Sequence, residues 1–163
     1  DRLRKLYKKR GYSEDWIEQR IQGIVVRDEL TTEWKERGAE EGREFALLTD
    51  ILQRGTFDIS TDEHKAVKSL NRGENLRDNM TTLELALTML SEATSTVLHQ
   101  TRDSQGFLPL QRDARRAGEI AGAARREIEA ESGVPVVSSE NANTLTAHAV
   151  QPRLFATDDE PNT

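Results

Sequence analysis

The sequence contains no cysteine, which excludes disulfide bonds, thiolate catalysis and thiolate-bound zinc or iron–sulfur centres. Aromatic residues make up only 5% of the 163 residues, so the core must consist mainly of Leu, Ile, Val and Ala. No apolar run approaches the roughly 20 residues of a membrane-spanning helix, and the basic N-terminus lacks the apolar stretch of a signal peptide. We therefore expect a cytoplasmic protein, nucleoid-associated or not, that has no membrane partner.

Charge is distributed unevenly along the chain. The net charge is −6, yet residues 1–10 carry six basic residues and a single acid. The remainder is correspondingly acidic and repels the phosphate backbone of DNA, so any contact with nucleic acid has to come from local basic stretches or from another domain. Because the chain starts at Asp1 and not at Met, we expect it to be part of a longer protein.

Apolar residues recur at helical spacing along most of the chain, which predicts an all-α fold. Caps and helix breakers then set the expected boundaries. These are a short basic helix over residues 1–10, a long helix that begins at Ser13 and stops at Gly38 or Gly42, a third helix that ends at Gly55, a short helix over residues 61–70 and a polar linker over residues 71–80.

Two further helices are the most regular elements. Thr81 and Glu84 have the spacing of a capping box, and apolar residues follow at helical spacing to about residue 100. Residues 110–132 form the last helix, whose small residues predict close contact with another helix, since glycine inside a helix costs about 1 kcal/mol relative to alanine. We expect this seam to pack against the preceding long helix, in the same or a partner subunit. The predicted interface comprises Leu83, Leu87, Leu90, Ala114, Ala117, Gly118, Ala121 and Gly122.

Together these patterns predict a bundle of about four to five helices. An apolar share of 35% gives a thin core, so we expect dimerisation to complete the bundle and the protein to be a homo-oligomer. We divide the chain into a basic helix or linker from a preceding domain over residues 1–12, a helical domain over residues 13–134 and a mostly disordered or extended tail over residues 135–163. Val136-Val137 or Leu154-Phe155 are the candidates in the tail for packing on the domain.

No recognisable catalytic or metal-binding constellation occurs in the sequence. The histidines His64, His99 and His148 lie far apart, and we interpret them as surface or helix-end residues. Neighbouring carboxylates such as Glu40 and Glu41 do not face each other on a helix, so they form no acid–base pair. No segment matches a phosphate-binding loop or a nucleophile elbow. We therefore expect no catalytic residues, no metal and no cofactor.

Two groups of basic residues are candidates for contact with nucleic acid. Arg112 and Arg116 share one face of the last helix with Arg115 beside them, and guanidinium groups bind phosphate through charge-assisted hydrogen bonds. The alternative, which we favour, is that the arginines of this helix pair with its acidic residues. The denser group lies at the N-terminus and comprises Arg2, Arg4, Lys5, Lys8, Lys9 and Arg10.

The segment before the capping box is rich in polar residues. Asn75, Arg77 and Asp78 form either a binding loop or a structural lock, in which Arg77 or Asp78 holds the loop against the end of a neighbouring helix. We favour the lock.

Residues 64–133 resemble the C-terminal region of the DNA-damage-inducible protein D family, bacterial proteins that usually carry a Bro-N domain in front. The resemblance rests on the order of several short motifs, and with residues 27–50 it extends over about two thirds of the chain. The matching residues are His64-Lys65, Leu70, Leu76, Arg77, Asp78, Met80, Thr81, Glu84, Leu85, Ala93-Thr94, Ala117-Gly118, Ala121 and Arg125.

This resemblance implies a role in the bacterial response to DNA damage, with DNA or a repair or recombination protein as partner. It also implies a DNA-binding Bro-N domain before residue 1, and it supplies no catalytic residue. The leading hypothesis is a non-enzymatic interaction and dimerisation module of a DNA-damage-inducible, DNA-associated protein. Two alternatives stay open: a phage-antirepressor-like regulator that binds a repressor protein, and direct binding of DNA by the helical domain.

Overall fold

The computed structural model describes residues 1–141, which fold into helices joined by short loops. Six α-helices and one 3₁₀ turn occur in this range, and it contains no strand. The helices are α1 (Arg2–Lys9), α2 (Glu14–Glu36), α3 (Arg43–Phe57), α4 (Thr61–Val67), α5 (Thr82–Thr101) and α6 (Phe107–Ser132), and the 3₁₀ turn is Arg77–Asn79. The predicted all-α class is confirmed.

The caps that the sequence predicts start two of the long helices. Ser13 Oγ accepts a hydrogen bond from the backbone N–H of Trp16 at the start of α2. Thr81 and Glu84 form a reciprocal capping box at the start of α5, because each side chain accepts from the backbone N–H of the other residue. These boundaries depend on residues three positions apart, which is why the sequence alone predicts them.

The long helices α2, α3, α5 and α6 form a bundle. In this bundle α5 packs against α2 and α6, and α6 packs against α3. The remaining seam, between α2 and α3, is only partly closed and contains a cavity, which α4 and the segment before α5 help to line. This open seam sets the position of one candidate site.

The buried apolar side chains divide into two small clusters, in keeping with the low apolar content. One lies where α1, the start of α2 and the segment before α5 meet, and the other lies among α2, α3 and α6. The first consists of Tyr7, Trp16, Ile17, Phe57, Leu76, Met80, Leu85, Leu87 and Val136. The second consists of Leu30, Trp34, Ala39, Leu48, Leu52, Leu110, Ala114 and Ala117.

Helices α3 and α6 approach until backbone meets backbone. A Cβ atom on Gly55 would lie 2.7 Å from Gly118 Cα, and a Cβ atom on Gly122 would lie 2.2 Å from the carbonyl oxygen of Gly55. The small-residue seam of α6 therefore makes the close contact that its composition predicts. Its glycines meet α3 of the same chain, however, and not α5 as predicted.

The prediction that Gly55 ends the third helix is wrong. Helix α3 continues to Phe57, and Asp58 takes the left-handed C-cap position with φ 61°. Gly55 is present because α6 leaves no room for a side chain there, and a sequence pattern cannot separate this packing requirement from a helix stop.

The chain after α6 folds back onto the bundle as far as Asn141. Val136 is buried in the first apolar cluster, and its backbone N–H donates to Glu129 Oε2 at 2.9 Å. The predicted packing of Val136 on the domain is therefore confirmed, whereas Leu154-Phe155 lie outside the described residues.

We expect Gly55→Ala and Gly122→Ala to lower the free energy of unfolding by about 2–3 kcal/mol, since α3 and α6 would have to separate. Gly118→Leu should also lower the free energy of unfolding of the single chain, whether or not two copies associate.

The matched control is Gly23→Ala inside α2, where a Cβ would meet only the Met89 side chain at 3.7 Å. This control should leave stability unchanged or raise it by up to about 1 kcal/mol. Chemical denaturation of the variants measures the difference, and similar values for Gly23→Ala and Gly55→Ala would contradict the close contact.

Candidate functional site

All ionisable side chains of α5 point into the protein. Glu84, Glu92 and His99 are at most 1% exposed. They lie eight and seven residues apart, which is close to two helical turns each time, so they share one face of the helix. Because a buried ionisable group is stable only with a partner, each of these side chains needs an ion pair or hydrogen bond from a neighbouring element.

Glu84 pairs with a residue of α4 and with Lys68, the residue that directly follows this helix. Its Oε1 accepts from Lys68 Nζ at 2.7 Å, and its Oε2 is hydrogen-bonded to His64 Nε2. The Lys68 ammonium also donates to the carbonyl oxygens of Ser138 and Glu140, which uses all three of its hydrogens. Burial alone would raise the pKa of the Glu84 carboxyl, but the hydrogen bonds from His64 and Lys68 outweigh burial and lower this pKa.

His99 is held in its neutral form. The Trp34 indole N–H donates to His99 Nε2 at 3.1 Å. An indole has no acceptor, so the imidazole proton has to sit on Nδ1, which donates to Asp113 Oδ2 at 2.9 Å. Burial lowers the pKa of His99, and the hydrogen bond and charge of Asp113 oppose this shift without reversing it.

His64 and His99 lie in the last turns of α4 and α5, in agreement with the helix-end interpretation, but both are fully buried, so the surface interpretation is wrong for them. His148 lies outside the described residues. One feature of the sequence could have indicated that His99 is buried. His99 lies on the same face of α5 as Glu84 and Glu92, and the buried residues of this helix include leucines. Hydrophobic periodicity assigns polar residues to solvent and misses this face.

Glu92 joins two arginines at the open seam between α2 and α3. Arg27 Nη1 donates to Glu92 Oε2 at 3.1 Å, and Arg77 Nη1 donates to Glu92 Oε1 at 2.5 Å. Arg27 Nη2 also donates to Thr49 Oγ1 at 2.7 Å. Burial lowers the pKa of the Arg27 guanidinium, Glu92 counteracts burial, and the charge of Arg77 adds to the lowering.

These side chains line a half-open cavity of about 210 Å³. Lys65 of α4 adds a third cation to the lining, and Glu92 is its only carboxylate. Hydroxyl and amide groups and several apolar side chains complete the walls. The cavity thus combines a surplus of positive charge with an apolar part, and the sequence did not predict it.

The polar segment before α5 forms the structural lock that the sequence favours. Asp78 Oδ1 accepts from Tyr7 Oη at 2.6 Å and from Arg20 Nε at 3.0 Å, which ties the segment to α1 and α2. Arg77 ties it to α5 through the bond to Glu92. Three other residues of the family pattern are buried in the first apolar cluster: Leu76, Met80 and Leu85.

The outward face of α5 is uncharged and largely apolar. Leu83, Leu90 and Val97 are 39%, 40% and 54% exposed, and Ala86 and Ala93 are exposed between them. These five positions alternate at spacings of three and four residues, which is typical of a helix that packs along another helix.

The structure divides the predicted interface into two groups. Leu83 and Leu90 belong to the outward face of α5. The others are buried within the chain: Leu87, Ala114, Ala117, Gly118, Ala121 and Gly122.

The basic residues predicted to contact nucleic acid lie at opposite ends of the bundle. Arg4 is paired with Glu14 and Glu18, which holds α1 at the start of α2. Arg37, just beyond the other end of α2, binds Asp103 shortly before α6 begins. The 23 residues of α2 span about 35 Å. The two predicted groups, Arg2, Arg4, Lys5, Lys8, Lys9 and Arg10 at one end and Arg112, Arg115 and Arg116 at the other, therefore do not form one patch.

Some of the arginines on α6 form ion pairs with acidic residues of the same helix, as the favoured interpretation predicts. Arg116 Nη1 lies 3.4 Å from Glu119 Oε2, and Arg125 Nη1 lies 2.5 Å from Glu129 Oε1. Arg112 and Arg115 are exposed.

Within residues 1–141, no group of three or more His, Cys, Asp or Glu side chains is placed to hold a metal ion. In the same range, every helix is too short or too polar to cross a membrane. Comparison of the chain with family models, with curated proteins and with solved structures gives no match.

We expect the free energy of unfolding to decrease as the pH falls from about 7 to about 5. The pKa of His99 is lower in the folded protein than in the unfolded chain, so the unfolded state binds more protons in this window. The carboxyls with lowered pKa values, Glu84 and Asp113, lose their contribution only at lower pH.

Trp34→Phe tests whether the indole N–H contributes to this pH dependence. The variant removes the indole N–H that opposes a proton on His99 Nε2, so it should flatten the decrease between about pH 7 and about pH 5, while lowering stability at neutral pH through the lost packing. Denaturation curves over this pH range measure both effects. A slope that Trp34→Phe leaves unchanged would show that the indole N–H does not contribute to the lowered pKa of His99.

Proposed function

We propose that this chain is a non-enzymatic interaction and self-association module of a DNA-damage-inducible, DNA-associated bacterial protein. The observation that carries self-association is the uncharged outward face of α5. Charged residues make up 32% of the chain, yet none lies on this face along the whole helix. An uncharged, largely apolar helix face on an otherwise highly charged protein is typical of a contact with another macromolecule.

A second copy of the chain is the partner that fits this face, because its pattern is self-complementary. Leu90 lies midway between Leu83 and Val97, seven residues from each. Antiparallel pairing about a twofold axis brings Leu90 next to its own counterpart, and it brings Leu83 next to Val97 of the second copy. Ala86 and Ala93 at the intervening positions let the two helices approach closely, and no charge becomes buried.

The DNA-damage context of the proposal rests on the resemblance of residues 64–133 to the DNA-damage-inducible protein D family. Two of the residues that carry the resemblance fix the fold. Asp78 holds the segment before α5, and Glu84 holds α4. We propose DNA or a repair or recombination protein as the further partner, in the cytoplasm.

Direct binding of DNA is a second candidate function, which the basic residues of α1 favour. Arg4 and Lys8 are paired with acids of α2. The other four basic residues of this group have no ion pair within residues 1–141 and are exposed: Arg2, Lys5, Lys9 and Arg10. They give α1 the density of positive charge that phosphate contacts require.

Leu90→Glu tests the proposed self-association. Two glutamates would meet at the centre of the paired helices, so we expect association to weaken about a hundredfold or more, or roughly 3 kcal/mol. Stability of the single chain should fall by no more than about 1–2 kcal/mol, because Leu90 is already 40% exposed. Sedimentation velocity at micromolar concentrations should find a dimer for the unsubstituted chain and a monomer for Leu90→Glu.

Leu47→Glu on α3 is the matched control, since Leu47 is 43% exposed but lies outside the α5 face. This variant should remain dimeric. A monomeric unsubstituted chain, or a dimer that Leu90→Glu leaves intact, would refute self-association through α5. Repeating the sedimentation with double-stranded DNA at low and moderate salt decides the second candidate, because binding through α1 has to weaken as salt rises.

A further inference from the structure

We propose that the cavity at the seam between α2 and α3 binds a small phosphate monoester through Arg27, Arg77 and Lys65. This inference is independent of self-association, because the cavity and the outward face of α5 lie on different sides of that helix.

The charge of the cavity matches a phosphate monoester. Arg27, Arg77 and Lys65 face one carboxylate, Glu92, so two positive charges are left unbalanced among the lining residues. A phosphate monoester carries about −1.5 to −2 charges at neutral pH. A carboxylate ligand would balance only half of this surplus, and a neutral ligand would balance none.

The cationic side chains still have hydrogen-bond donors to offer. Arg77 uses Nη1 on Glu92, and its Nε and Nη2 groups have no acceptor among residues 1–141. The Nε–H group of Arg27 has no acceptor in this range either. Lys65 Nζ donates to the carbonyl oxygen of Arg72 at 3.0 Å, which leaves further hydrogens available. Guanidinium groups bind phosphate oxygens through paired N–H donors, so the free donors suit this ligand.

The two guanidinium groups are held in place before any ligand binds. Glu92, which is 1% exposed, fixes both of them, and Thr49 fixes the other end of the Arg27 group. The Arg27 guanidinium also lies over the Trp34 ring, 5.0 Å from its centre. Long basic side chains usually lose conformational entropy on binding, and this arrangement removes much of that cost.

The rest of the cavity selects the size and character of the ligand. Its apolar wall, formed by Leu52, Phe57, Leu76 and Met80, suits an organic group attached to the phosphate. The volume of about 210 Å³ suits a small molecule, and the half-enclosed shape lets part of the ligand extend into solvent. A DNA duplex cannot insert its backbone into a recess of this size.

Binding is tested with inorganic phosphate, a deoxynucleoside monophosphate and the corresponding nucleoside, each titrated into the full chain at constant ionic strength. We expect both phosphate-containing probes to raise the melting temperature in a saturable way, with the monophosphate binding more tightly, and the nucleoside to have no such effect. The side-chain Nε–H resonances of Arg27 and Arg77 should shift in nuclear magnetic resonance spectra as the probe binds.

Lys65→Gln is the main variant, because Lys65 makes no ion pair within residues 1–141 and its loss should not affect folding. It should weaken binding of the monophosphate about five- to tenfold, with an unchanged melting temperature in the absence of ligand. Arg77→Lys keeps the charge but loses the paired donors, so it should weaken binding as well. Lys5→Gln on α1, a residue that does not line the cavity, should bind as the unsubstituted chain does.

Several outcomes would overturn the proposal. These are the absence of saturable binding for the monophosphate, binding of inorganic phosphate alone, or equal affinity of Lys65→Gln and the unsubstituted chain. Arginine resonances that do not move on saturation would place the ligand elsewhere and would overturn it too.

Discussion

The fold depends on the pairing of the ionisable side chains that α5 turns inward. Glu84 and Glu92 cannot be buried alone, because removing one partner of a buried ion pair typically costs about 3–5 kcal/mol. The neutral His99 needs hydrogen-bond partners for its two ring nitrogens. Each of them therefore requires a partner at a fixed place on another element. Glu84 positions α4, Glu92 positions the middle of α2 and the segment before α5, and His99 positions the end of α2 and the start of α6. With small apolar clusters on either side, these contacts do much to define how the helices are arranged.

The two candidate sites follow from the same arrangement. All ionisable residues of α5 lie on its inward face, so the outward face of this helix is uncharged. Glu92 needs more than one donor for its two oxygens, and it draws Arg27 and Arg77 to the seam that α2 and α3 leave open. The cations that stabilise a buried carboxylate thus also give the cavity its positive charge.

Features that depend on residues close together in the sequence could be predicted, whereas features that depend on residues far apart in the sequence could not. The caps at Ser13 and Thr81 involve residues three positions apart, and they were predicted correctly. The contact of Arg27 with Glu92 joins residues 65 positions apart, and no local pattern indicates it. Gly55 was misassigned for the same reason, since its neighbour Gly118 lies on a helix whose position the sequence does not give. The cavity is a property of several such distant contacts together, so it could not be predicted at all.

The division of α5 into two faces also separates stability from association. Substitutions on the inward face break ion pairs or buried hydrogen bonds and act on folding, whereas the outward leucines contribute less to the folded chain because solvent already reaches part of each side chain. The outward face can therefore vary in affinity and in partner without a large effect on the fold. Such a face is suited to recognition, since substitutions there can change binding with little effect on stability. For this reason the proposed association rests on the apolar character of Leu83, Leu90 and Val97, which the packing of the single chain only partly requires.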